Sequence, residues 1–173
     1  MSLSLYDVSI GSYLQTLAAT SGFLAKSREH FEKNGVSLKD IIETRLYPDM
    51  LPFTFQVVSV AHHSLGAVRA LESGEFTPPS VPSEVSYAVL ERLVSEAQAG
   101  LREYKREAID ALENRDLNFK LGTRVMPFVA RDFVLTFSLP NFHFHAATAY
   151  DILRMKGAPL GKRDFLGALK MKG

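Results

Sequence analysis

The sequence predicts a mainly helical protein built as a four-helix bundle. Apolar residues recur at steps of three and four along four long segments. Clusters of Gly and Pro cut the chain between those segments. One stretch, 117–138, breaks the helical period and is rich in β-branched and aromatic residues.

The first helix is predicted from about Leu5 to Lys33, with Tyr6, Ile10, Tyr13, Leu14, Leu17, Leu24 and Phe31 as its apolar stripe. Asn34-Gly35 stops it, because glycine accepts the left-handed conformation. A short helical turn follows at Leu38–Thr44. The run Tyr47-Pro48-Asp49-Met50-Leu51-Pro52 opens the second helix, with Asp49 as N-cap and Pro52 in the first turn. Phe53, Gln56, Val60, His63, Ala67 and Ala70 share one face of it. Gly74 and the Pro-rich segment Thr77–Pro82 end it. The third helix starts near Ser83 and carries the stripe Leu90, Val94, Ala97, Leu101, Tyr104, Ala108 and Leu112. Residues 117–138 read as a β-hairpin, with Arg131-Asp132 marking its turn. The fourth helix runs from about Pro140 to Lys156, stopped by Gly157 and Pro159, with Phe142, His145, Ala149 and Ile152 on one face. The tail 159–167 is expected to be extended, anchored by Leu160, Phe165 and Leu166. The long connections at 34–48 and 114–139 exclude a minimal up-down bundle with tight loops. One domain spanning 1–173 is expected.

Composition narrows the function classes. The chain has 173 residues, 46% of them hydrophobic and 23% charged, with a net charge of +1. No concentrated basic patch is visible, so a nucleic-acid partner is not expected. No apolar run reaches the roughly 20 residues of a membrane span. There is no cysteine, which excludes disulfides, thiolate catalysis and Cys-ligated zinc. No basic segment precedes an apolar core at the start, so a cytoplasmic location is expected.

His63 and His145 are the chief chemical lead. Each shares a helical face with apolar residues and so points into a core or a pocket. Side by side, two inward imidazoles can exchange protons near neutral pH or bind a divalent metal. On helices set side by side, bundle spacing would bring the two side chains within about 8 Å around a common cavity. The competing reading is a core histidine satisfied by a hydroxyl, amide or carbonyl. His62 points about 100° away from His63, His143 diverges from His145, and His30 lies at a charged, exposed helix end. Asp49, Gln56, Asn141 and Thr148 are the expected pocket-lining residues. Their ordinary roles would be capping for Asp49, a buried amide bond for Gln56 and a carbonyl bond one turn back for Thr148. A mononuclear catalytic metal needs three protein ligands. Four residues after His145 stands Ala149, which cannot ligate, and four before it stands Asn141. No His-x-x-x-His pair exists, so no tightly held metal or other cofactor is expected, with His63 and His145 the ligands if a divalent ion binds. Phosphate-loop, nucleophile-elbow and zincin motifs are absent.

Several segments together carry a resemblance. They are Leu3–Val8, Arg45-Leu46-Tyr47-Pro48-Asp49-Met50, Leu139-Pro140-Asn141-Phe142 with His145, and Pro159–Gly167. In these the chain resembles a branch of the DinB/YfiT-like helical-bundle superfamily, one classed as a domain of unknown function. The resemblance implies a four-helix bundle, often a homodimer. In the wider superfamily it implies a metal held by one second-helix histidine and a fourth-helix His-x-x-x-His pair, with thiol-dependent isomerases and transferases among its members. His63 matches the second-helix position and His145 one fourth-helix position, while Ala149 stands where the partner would be. Two function classes therefore remain. One is an enzyme with a histidine-lined pocket acting on a small organic molecule, of isomerase or thiol-transferase type. The other is a non-catalytic small-molecule-binding or structural dimeric bundle that has lost the metal site.

Overall fold

In the computed structural model, which describes residues 3–172, four long helical runs form the bundle. The first is a wide π-helical turn at Asp7–Gly11 that continues into α1 (Ser12–Lys33). The short helix α2 (Leu38–Glu43) follows, its N-terminus capped by Ser37. The second run is α3 (Phe53–Ala61), a π-turn at His62–Gly66 and α4 (Ala67–Ser73). Gly74, at φ 79°, ends it in the left-handed conformation. After strand β1 (Glu75–Phe76) comes the third run, α5 (Tyr87–Arg102), followed by a short α6 (Arg106–Asp110). Strands β2 (Asp116–Leu121) and β3 (Arg124–Val129) lead into the fourth run: α7 (Ala130–Phe133), a π-turn at Val134–Ser138 and α8 (Leu139–Met155). The short helix α9 (Lys162–Leu166) packs on α1.

The bundle closes with α1 against α5 and α8, and α3 against α5 and α8. Runs that follow one another in sequence are therefore not all neighbours: the first lies diagonal to the second. That order needs crossover connections, which is why the links between runs are long. The core draws on all four runs: Tyr13, Phe31, Phe53, Val57, Leu90, Val94, Phe133, Phe142 and Ile152 are fully buried.

Five boundaries differ from the sequence reading. Asp49 does not cap the second run. It sits exposed in a turn closed by a bond from the Met50 N–H to the Tyr47 carbonyl, with Pro48 at the turn's second position. Pro52 takes the cap position instead, without a side-chain bond. The third run starts at Tyr87 with Ser86 as its cap and stops at Arg102, so Ala108 is exposed and Ile109 is buried in its place. The hairpin turn is Gly122-Thr123, where Gly122 at φ 59° meets the positive φ that tight hairpins require. Arg131-Asp132 lies in helix α7, and residues 134–138 are helical, because their apolar residues bury on one helical side rather than alternating. The tail is a helical turn rather than an extended strand. Asp164 accepts the Gly161 N–H and an ion pair from Lys26 at 3.0 Å. Leu160 is buried, Phe165 half-buried and Leu166 exposed.

Strand β1 was not legible in the sequence. Its two residues pair parallel to Asn118 and Phe119 of β2, giving a three-stranded sheet ordered β1-β2-β3. The sheet lies beside the end of the bundle that carries the histidines.

Candidate functional site

The second run delivers His63 from its π-turn, and the fourth delivers His145 from α8. Both side chains are buried, with exposures of 4% and 9%. Their ring centroids lie 5.8 Å apart with planes only 19° from parallel. The expected approach within about 8 Å is met, but neither ring lines the clefts beside Arg69, Tyr87, Leu14 and His143, so the common cavity expected around the pair is not among them.

The surroundings set the protons. Gln56, seven residues before His63 on α3, donates from Nε2 to the Leu51 carbonyl at 2.8 Å. Its Oε1 therefore faces His145 Nδ1, also at 2.8 Å. A carbonyl oxygen only accepts, so His145 carries its proton on Nδ1 and presents Nε2 as a bare acceptor. His63 differs: its Nδ1 is buried and, among the described residues, has no hydrogen-bond partner. Burial pushes the His63 imidazole down to about 3, with the neighbouring His145 and then His62 adding to the effect. Burial alone brings His145 down to about 4. Both rings are thus neutral bases at ordinary pH.

Aromatic rings wrap the pair. Phe76 from β1 and Phe137 from the third π-turn lie 5.4 and 5.7 Å from the His63 ring. Phe55 and Phe144 flank His145 at 5.8 and 5.3 Å. Sequence reasoning missed Phe76, because a two-residue strand has no period, and assigned Phe137 to a hairpin. Behind the rings runs a buried relay. The Tyr13 hydroxyl donates to Ser138 Oγ at 2.8 Å, and Ser138 Oγ donates to the His63 carbonyl at 2.7 Å. It joins the α1 run to the π-turns of the second and fourth runs.

The other expected site residues divide. Gln56 is at the centre. Thr148 is buried but bonds the Phe144 carbonyl one turn back at 2.8 Å. Asn141 is half-buried and bonds the Phe137 carbonyl at 2.7 Å. Asp49 is exposed in the turn before α3. His62 points elsewhere, its Nε2–H donating to the Thr77 carbonyl at 2.6 Å. His143 is exposed on a separate shallow cleft with Ser12 and Phe165.

A metal would need more than this pair supplies. Among the described residues no cluster of three His, Asp or Glu can hold an ion. Ala149 is fully buried on the face of His145 and offers a methyl group where a third donor would stand. Gln56 is committed at both ends of its amide. These residues do not fit a three-ligand centre.

Comparison with known proteins settles the family. A family model described as "Domain of unknown function (DUF1993)" matches residues 5–166. The chain belongs to this family. A crystal structure of a DinB family member protein from Shewanella denitrificans is similar over 98% of this chain and 95% of that one, with a TM-score of 0.81 and 22% sequence identity. That likeness places the DUF1993 chain in the DinB-like fold. No functionally curated protein matches the sequence.

Proposed function

We propose that the His63–His145 pair is the reactive centre of an enzyme acting on a small organic molecule by acid–base chemistry, of the isomerase or thiol-transferase type. The observation that carries this reading is the pairing of two neutral bases with unequal hydrogen bonding. Gln56 fixes His145 as a donor on Nδ1 and an acceptor on Nε2. The orphaned His63 Nδ1 leaves one buried polar atom for a substrate to satisfy. In such a site His145 Nε2 takes a proton from a bound acid, a thiol or an activated C–H. His63 carries the second proton transfer beside it. Phe55, Phe144, Phe76 and Phe137 exclude water, and the substrate enters from the His145 side, the more open of the two.

The test is turnover of glutathione with 1-chloro-2,4-dinitrobenzene, alongside proton–deuterium exchange at activated ketones. Catalysis above the buffer rate is expected, and it is lost in both His63→Ala and His145→Ala while the helical circular dichroism persists. A second reading is favoured by the low exposure of both rings: a non-catalytic bundle whose imidazoles fill the core. Buffer-level rates with every thiol and ketone tried would support that reading instead. We also propose a homodimer through the exposed apolar residues around His145.

A further inference from the structure

One cleft among the described residues lies away from the histidine pair. It holds about 470 Å³ and lies between the second run and α5, walled on one side by the Pro-rich loop at Ser80 and Pro82. Its floor is apolar, built by Val58, Leu65 and Ala97, all buried. Two polar groups of the second run line it, His62 and Arg69.

His62 is preset as an acceptor. Its Nε2–H is committed to the Thr77 carbonyl at 2.6 Å, and burial favours its neutral form, so Nδ1 holds a lone pair. Gly66 keeps that atom approachable: a Cβ there would stand 3.0 Å from His62 Nδ1. Arg69 is exposed and, among the described residues, forms no ion pair, although its guanidinium lies close to the Tyr104 hydroxyl. Glu72, next along α4, accepts from the Tyr104 hydroxyl at 2.9 Å instead. Glu96 on the opposite wall pairs with Arg92 at 3.5 Å, so its charge is already engaged. The cleft thus combines an apolar floor, a guanidinium with no carboxylate partner at one end and a neutral acceptor at the other. His62 and Arg69 are seven residues apart, about 10 Å along the helix axis.

We propose that this cleft binds a small organic carboxylate with an apolar body and a hydrogen-bond donor at its far end. The carboxylate sits on Arg69, whose planar fork matches it. The apolar body covers Val58, Leu65 and Ala97, and the donor reaches His62 Nδ1. This site stands whichever role the His63–His145 pair has.

The experiment is a titration of the full chain with 3-(4-hydroxyphenyl)propionate, followed by amide proton–nitrogen NMR. Saturable shifts are expected at Ala61, Gly66 and Ala97, with a dissociation constant of about 1 mM, ordinary for a ligand of this size. The neutral 3-(4-hydroxyphenyl)propionamide, lacking the charge, and 3-phenylpropionate, lacking the donor, should each bind at least about tenfold more weakly. Arg69→Ala, at an exposed side chain that leaves the core intact, should weaken binding by a similar factor. Gly66→Ala should do the same by covering Nδ1. Absence of saturable shifts, equal binding of the amide, or unchanged binding by Arg69→Ala overturns the proposal.

Discussion

At the scale of single residues, the buried imidazoles tie stability to pH. The imidazoles of His63 and His145 sit at about 3 and about 4, below the ordinary 6.5. Between those values and 6.5 the unfolded chain binds more protons than the folded one. Stability is therefore complete above about pH 6.5 and falls as pH drops towards 3, each buried ring adding up to about 1.4 kcal/mol per pH unit. We expect the urea midpoint to fall steeply between pH 7 and pH 4.5. His63→Phe should flatten that slope by one proton's worth, because His62, His143 and His145 remain. An unchanged slope would mean that His63 is protonated in the folded state. The roles of these residues were only partly legible in the sequence. Periodicity alone placed His63 and His145 on apolar faces, while their convergence rested on the family resemblance, which sets those two helices side by side. The proton assignment did not, because it depends on where Gln56 sends its amide N–H, a contact to Leu51 that no pattern encodes. Nor did the fate of Asp49, since Pro48 makes its own turn just before the helix.

At the scale of elements, the three π-turns organise the site. Each inserts an extra residue into a helical run, which rotates the following face and leaves carbonyls outside the usual ladder. The His63 carbonyl in the second π-turn is met by Ser138, the last residue of the third, and Ser138 is met by Tyr13 just beyond the first. All three residues are buried. Ser138→Ala strands the His63 carbonyl and the Tyr13 hydroxyl together, and should cost about 2–3 kcal/mol in chemical denaturation. Tyr13→Phe leaves Ser138 still donating to His63, and should cost about 1 kcal/mol. The double variant should cost little more than Ser138→Ala alone, because both act on one chain of bonds. Strict additivity would show that the links are independent. The π-turns explain why the fourth run was misread. A 3.6-residue period carried across Val134–Ser138 loses phase, and the dense Phe and Val content there resembles a strand. Elsewhere the regular stripes of α1 and α5 sufficed, and the third helix was overextended at its ends, before the Ser86 cap and beyond Arg102.

At the scale of the whole molecule, exposed apolar residues are spread from Leu3 to Met171, and one group of them borders the histidine pair. Leu51 and Phe144 are 48% and 55% exposed, and half-buried Phe55 lies with them around His145. Covering the Phe144 ring would remove apolar surface from water and so favour association. A second copy of the chain is the simplest cover, because a two-fold axis through this face sets the same residues against each other. A stable pair needs about 800 Å² buried per partner, so Leu51, Phe55 and Phe144 would form the apolar centre of a wider contact with a polar rim. Such an interface would set the partner's apolar residues at the rim of the entrance on the His145 side. Light scattering at micromolar concentration should report about twice the chain mass of 19.2 kDa. Phe144→Glu places a charge at that centre and should return the protein to the monomer mass, with its helical spectrum unchanged. A wild-type chain that stays at the monomer mass across the micromolar range rejects the dimer. A dimer that survives Phe144→Glu places its interface on another face.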